Sequence, residues 1–269
     1  MKKIVLSVYL ALSLTNVNAA DKVSDLQKIL DGSQRSKAHK ARDHYRHPLE
    51  TLTFFDIKET DSVLEIWPGA EGWYTEILAP YLKEKGSLTV ANFAVDAKTP
   101  HFQKSAHAFN AKLAAQPSYY NKVTVTTLQP PDALAIAPEG SMDRVLTFRN
   151  VHNWIAQDQA PAVFKAMYKA LKPGGLLGVV EHRSSMSMPP DPLAKAGYVH
   201  EDDVIAIAMK AGFEFLAKSD VNANPNDTKD YPDGVWSLPP TLRQGKKDRE
   251  KYLTIGESDR MTLKFIKLN

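Results

Sequence analysis

The stretch that most limits what this chain can fold into is Val63-Leu64-Glu65-Ile66-Trp67-Pro68-Gly69-Ala70-Glu71-Gly72-Trp73-Tyr74-Thr75-Glu76-Ile77-Leu78. A short apolar run, a glycine turn and an amphipathic continuation read as a buried strand that feeds a helix. Backbone N–H groups at such a helix start have no partner within the helix, so an anionic or polar ligand can dock there. A strand joined to a helix in this way also calls for a parallel partner strand.

The rest of the chain supplies those partners. Strand signals at 62–66, 87–93, 123–128, 144–148 and 176–181 alternate with helical patterns at 73–85, 101–115, 161–171 and 201–211. Strands at 214–219 and 261–268 close the series as a late hairpin. Residues 220–260 between those two strands form a long insert rich in Asn, Asp, Pro and Lys, and a loop of that length is usually functional or mobile. Polar, helical-looking sequence from Asp21 to Phe55, broken near Gly32 and Pro48, precedes the core.

Three landmarks stand in order: the Glu65–Gly72 turn, Lys172-Pro173-Gly174-Gly175 before the fifth strand, and Ala211-Gly212-Phe213 before the sixth. Together they resemble the class I S-adenosylmethionine-dependent methyltransferases over roughly Thr53 to Asn269. The Trp-Pro-Gly version of the turn resembles a narrower group, exported bacterial proteins described as predicted methyltransferases. The resemblance implies an α/β fold: a doubly wound, seven-stranded, mostly parallel sheet (the Rossmann-like methyltransferase fold) with an N-terminal helical cap. The expected organisation is a signal peptide at 1–19, the cap at 20–56 and the α/β domain at 57–269, with its insert at 220–260.

The signal peptide rests on Lys2 and Lys3, the apolar run Ile4 to Leu14, and small residues at Val17 and Ala19 ahead of a cleavage site. Cleavage removes two lysines and no acid, so the formal charge falls from +3 to +1 and gives no reason to expect a nucleic-acid or membrane partner. With no cysteine, disulfides, a lipid-anchored cysteine and thiol chemistry are excluded. The expectation is an exported, periplasmic protein acting on a small molecule, with its oligomeric state open.

The resemblance also implies site residues, with S-adenosylmethionine as cofactor. Gly69 and Gly72 let the backbone approach its methionine part, and Glu65 orients the turn or the ligand amine. Trp67 stands where that family usually has glycine, and Gly72 falls one position later than the family's last glycine. Asn92 takes the place of the acid that usually holds the ribose hydroxyls, with Phe93 beside it; capping its own turn is an equally good role for Asn92. Asp132 borders the expected adenine pocket, and Asn150 lies at the carboxyl end of the fourth strand.

The segment Phe148-Arg149-Asn150-Val151-His152-Asn153-Trp154 lacks the Asn/Asp-Pro-Pro-aromatic motif used on planar amines, so nucleic-acid and glutamine amines are poor substrate candidates. His152 suits the task of taking a proton from a hydroxyl or phenol, because histidine titrates near neutrality, and a structural histidine hydrogen-bonded in the cleft wall is an equally good reading. Glu181-His182 supplies a second acid–base pair, so His152 and Glu181 are the catalytic candidates. Carboxylate and imidazole together also suit a metal, yet the eight histidines form no compact ligand motif and none is expected. Arg46, His47, Trp154, Tyr231 and Trp236 are the substrate-side candidates, the arginine for an anionic group and the rings for an apolar body. A non-catalytic binding or accessory protein on the same scaffold is the alternative. A hydrolase has little support, because there is no Gly-x-Ser-x-Gly elbow.

Overall fold

The computed structural model describes residues 25–189 and 191–268. The signal-peptide expectation lies outside them. Seven strands form one sheet: β1 Ser62–Ile66, β2 Ser87–Asn92, β3 Thr124–Thr127, β4 Met142–Phe148, β5 Leu171–His182, β6 Glu214–Ser219 and β7 Arg260–Ile266. Their order is β3-β2-β1-β4-β5-β7-β6. The first five run parallel, and β7 pairs antiparallel with both β5 and β6. The order reverses between β1 and β4, so their carboxyl ends open the crevice where ligands of such sheets bind.

Central and edge strands differ as their surroundings require. In β1 every residue after Ser62 is buried, as expected of a parallel strand covered on both faces. Edge strand β3 is a threonine-rich tetrapeptide with mostly exposed side chains. Alternation within strands divides the core. Leu64, Ile66, Leu177 and Val179 point into one apolar cluster, and Val63, Leu88, Val90 and Val180 into the other.

Helix Ala160–Ala170 covers the first face with Val163, Phe164, Met167 and Ala170, a spacing of three and four residues that gathers them on one side. Helix Thr75–Leu82 covers the second face, together with Leu26, Leu30 and Leu52 from the short N-terminal helices. Those helices are Lys37–Lys40, Asp43–Arg46 and Pro48–Phe54, with a further helical turn at 25–30. Helix Glu201–Ala211 has the bounds read from sequence, with three acids in its first turn and Gly212 in left-handed geometry after it.

Two elements differ from the sequence reading. The fifth strand starts at Leu171 rather than 176, and its pairing to β4 steps from Leu171 to Leu176, so 172–175 is a turn looped out within the strand. The insert is an ordered unit. It contains a 3-10 turn at Gly234–Ser237 and a helix at Arg249–Ile255. Tyr231, Leu238 and Tyr252 give it a small apolar centre. Its Asn and Asp residues make side-chain bonds to backbone: Asn224 Nδ2 donates to the Ile255 and Glu257 carbonyls, and Asp227 accepts from the Lys229 and Asp259 N–H groups. Among the described residues no helix is long and apolar enough to cross a membrane.

Candidate active site

The glycine turn after β1 sits between two cavities. One, of about 340 Å³, is lined by Glu65, Trp73, Tyr74, Arg149, His152 and Trp236 among others. The second, of about 500 Å³, is lined by Phe93, Phe102, Lys104 and Ser105. Trp67, Gly69, His101, Asn150 and Asn153 border both. Gly69 has φ +72, and a Cβ there would meet nothing within 4 Å, so the turn presents bare backbone to open space. At Gly72 a Cβ would come within 2.7 Å of the Phe109 ring and 2.9 Å of Thr75 Oγ1. Gly72 therefore serves close packing against helix Pro100–Ala115 and lines neither cavity.

Two polar side chains fix the turn. Asn150 Nδ2 donates to the Ile66 carbonyl at 3.0 Å and to Thr147 Oγ1 at 3.2 Å, tying the end of β1 to β4. Glu65 Oε2 accepts from Thr75 Oγ1–H at 2.6 Å. Burial raises the Glu65 pKa to about 7, against the lowering effect of the Thr75 bond and of Lys112.

The residue between them is unusual. Trp67 has φ +45, left-handed geometry that a non-glycine residue adopts at a cost of about 1–3 kcal/mol. Its indole is 5% exposed. Nε1–H donates to the Leu128 carbonyl at 3.0 Å, beyond the end of β3. The ring packs 4.5 Å from Phe93, 5.5 Å from Trp154 and 5.9 Å from Phe102. An indole buries roughly 150–250 Å², worth about 4–6 kcal/mol as an upper figure. Burial outweighs the backbone strain and holds the ring over the ends of β2 and β3.

Across the first cavity lies an acid–base pair. Val151 N–H, at the start of helix Val151–Ala156, donates to Glu181 Oε2 at 2.5 Å, and His152 N–H donates to the same oxygen at 3.2 Å. Glu181 Oε1 faces His152 Nδ1 at 2.9 Å and accepts from His182 N–H at 2.7 Å. The carboxylate selects the tautomer with the proton on Nδ1, which leaves the Nε2 lone pair for a ligand. His182 is close by, its ring 5.3 Å from that of His152 and its Nδ1 2.5 Å from Ser258 Oγ. Burial, then the neighbouring His152 and Arg149, hold its pKa well below the ordinary histidine value.

His152, Glu181 and His182 bring one donor atom each within 4.8 Å. Both Glu181 oxygens already accept from N–H groups, and Arg149, Arg260 and Arg46, which act on His182 after burial and His152, would repel a divalent cation. The donor set suits proton transfer better than metal binding.

Other residues singled out from sequence are dispersed. Trp236 reaches the first cavity, its ring 6.0 Å from His152, and Phe93 reaches the second. Asn92 is 1% exposed and its Oδ1 accepts from Phe93 N–H, so it caps its own turn rather than facing a ribose. Asp132 is exposed and lines neither cavity. Trp154 is fully buried core, and Tyr231 is committed to the insert's apolar centre. His47 is a left-handed hinge between two short helices, and Arg46 is buried against Glu257 with Nε–Oε2 at 3.1 Å. Sequence reading missed His101, Arg149, Asn153, Glu257 and Ser258, all lining the first cavity.

Neither a family model nor a curated protein matches the chain. Solved structures do. A SAM-dependent methyltransferase from Aquifex aeolicus superposes with TM-score 0.57 at 15% identity, covering 91% of this chain and 98% of its own. The [4+2]-cyclase SpnF superposes with TM-score 0.57 at 14% identity, covering 93% and 94%. A SAM-dependent methyltransferase from Methanosarcina mazei gives 0.52 at 13%, covering 81% and 97%. The chain has the class I methyltransferase fold.

Against that fold, the two halves of the site that S-adenosylmethionine would need differ. The amino-acid half fits: bare backbone at Gly69, the Glu65 carboxyl and the Asn150-braced turn border one open volume. The nucleoside half is partly filled, although the second cavity lies open beside Phe93 and Phe102. Where the resemblance locates ribose and adenine, near Asn92, Phe93 and the segment after β3, the Trp67 indole is already packed and hydrogen-bonded.

Proposed function

We propose that this chain is an exported methyltransferase acting on a small molecule, and that S-adenosylmethionine enters its nucleoside half only when the Trp67 indole withdraws. The observation that carries the reading is the opposition of the Gly69 turn and the Glu181-oriented His152 across one cavity. The structural neighbours from Aquifex aeolicus and Methanosarcina mazei, both SAM-dependent methyltransferases, support it.

When bound, S-adenosylmethionine supplies a methyl group activated by its sulfonium. Gly69, Glu65 and Asn150 are the residues that would hold its amino-acid part. His152 Nε2 takes the proton of a hydroxyl or phenol acceptor, and Glu181 stabilises the imidazolium that results. Trp236, Tyr74 and Phe148 wall the acceptor and exclude water. Residues 1–19 direct export as a cleaved signal peptide, and 20–56 act as a cap over the α/β domain; N-terminal sequencing of the secreted protein checks the first.

A second reading, a non-catalytic binding or accessory protein, is favoured by one observation, the indole in the nucleoside half. The fold itself does not choose, since SpnF, a cyclase, has it too. Calorimetric titration of the protein with S-adenosylmethionine and S-adenosylhomocysteine decides. Saturable binding of both upholds the methyltransferase. No heat at millimolar ligand leaves the accessory reading.

A further inference from the structure

We propose that the molecule held in the first cavity carries an oxyanion, a carboxylate or a phosphate, and that Arg149 is the residue that binds it. This rests on the reading above and deepens it: Gly69, Glu65 and Asn150 take the cofactor's amino-acid part, and the part of the cavity lined by Arg149 and Trp236 takes the acceptor.

Four arginines surround one carboxylate, Glu257. Arg42 Nε lies 2.7 Å from Glu257 Oε1, Arg46 Nε lies 3.1 Å from Oε2, and an Arg260 terminal nitrogen lies 3.4 Å from Oε2. Arg149 acts electrostatically on the same carboxylate and lines the cavity, yet among the described residues no acceptor is hydrogen-bonded to its guanidinium. One negative charge cannot neutralise four positive ones, and buried charges that lack a partner are costly.

Burial and mutual repulsion act on the cluster in the same direction. Burial first, then mutual repulsion, lowers Arg46 to about 9, while Glu257 opposes the fall. Burial likewise lowers Arg149 to about 10, with Arg260 and Arg42 adding to it. Glu65, the other carboxyl lining the cavity, is pushed up to about 7 and bonded to Thr75, so near neutrality it is not a full counter-charge.

Backbone geometry also singles out Arg149. It has φ +63 and its N–H donates to the Val180 carbonyl at 2.7 Å, so β5 holds it in left-handed geometry at the tip of β4. A planar guanidinium presents paired N–H donors that match a carboxylate or phosphate. Trp236, Phe148 and Tyr74 line the same cavity and suit a flat apolar body attached to that group.

The test uses small probes of one shape: benzoate, phenyl phosphate and neutral benzyl alcohol, each titrated into the protein without S-adenosylmethionine. The expected result is saturable binding of at least one anion, a raised unfolding midpoint, and no effect of benzyl alcohol. Comparing benzoate with phenyl phosphate separates the two oxyanions. Arg149→Met should weaken the anion roughly ten- to a hundredfold while leaving the ligand-free midpoint unchanged or higher, because a half-buried cation repelled by its neighbours has been removed. Equal binding of benzyl alcohol, no binding of either anion, or undiminished binding by Arg149→Met overturns the inference. Should that variant not fold, the selectivity of the unaltered protein for anion over alcohol decides alone. The cofactor titration is separate. Anion binding without S-adenosylmethionine binding keeps this inference and removes the methyltransferase; the reverse does the opposite.

Discussion

The indole N–H of Trp67 donates a 3.0 Å hydrogen bond to the Leu128 carbonyl, joining the turn after β1 to the segment after β3. Adenine, too, is a fused bicycle with an N–H donor on its edge. Tilted 40° against Phe93 and bonded to a backbone carbonyl, the indole offers the same kind of ring face and edge donor that a purine carries.

In Trp67→Gly the left-handed backbone position becomes unstrained, since glycine adopts φ +45 freely. Loss of a buried indole should still lower stability by about 3–5 kcal/mol. S-adenosylmethionine would no longer have to displace the ring, so its affinity should rise at least about a hundredfold, which corresponds to ~3 kcal/mol. Calorimetry on both proteins measures it. Equal affinities would show that the indole does not stand in the ligand's place.

Glu65 makes stability depend on pH in the neutral range. Its pKa is about 7 in the folded protein against an ordinary 4.5, with burial as the main cause. The folded state therefore holds the proton more tightly than the unfolded one, and stability falls as pH rises from 4.5 to 7. Two and a half pH units correspond to about 3 kcal/mol. Glu65→Gln should flatten this part of the profile and be the more stable protein above pH 7. Denaturant midpoints at pH 5, 6, 7 and 8 for the two proteins provide the comparison.

How legible this site was in the sequence depended on how local each signal was. Glu65 through Gly72 announced a strand, a turn and a helix because all their constraints lie within one short stretch. Helix Glu201–Ala211 was legible for the same reason, with acids at one end and Gly212 at the other. Arg149 and Glu257 were missed because their relation exists only once β7, paired with β5, has carried Glu257 toward the carboxyl end of β4. Trp154 and Tyr231 misled because an aromatic side chain has the same sequence signature in a core as in a binding wall. The insert's Asn and Asp content read as a loop, whereas those side chains bond to backbone and hold an ordered unit together.

Glu181 is expected to control the His152 tautomer. Its oxygens serve the backbone N–H groups of Val151, His152 and His182 as well as the ring. Glu181→Gln puts an NH₂ group where acceptors are needed, which should cost about 1–3 kcal/mol for each donor left without a partner. Nitrogen-15 spectra of the imidazole should show the Nδ1–H form in the unaltered protein and a mixture in the variant. An unchanged tautomer would leave the carboxylate with a purely structural role.

Glu257 governs the acid limb. Burial alone would raise its pKa, but Arg46, Arg260, Arg149 and Arg42 outweigh that and hold it at about 2, below the ordinary 4.5. A depressed carboxyl contributes stability that is complete above pH 4.5 and lost as pH falls toward 2, again about 3 kcal/mol. Glu257 therefore weakens the fold on the acid side and Glu65 on the neutral side, two contributions of opposite sign with respect to pH. Glu257→Gln leaves the four arginines without a counter-charge, so it should lose about 3–5 kcal/mol at pH 7 and show no further loss through Glu257 between pH 4.5 and 2. Thermal midpoints from pH 2 to 8 check both limbs. If Glu257→Gln were as stable as the unaltered protein, the carboxylate would not be what holds these arginines together.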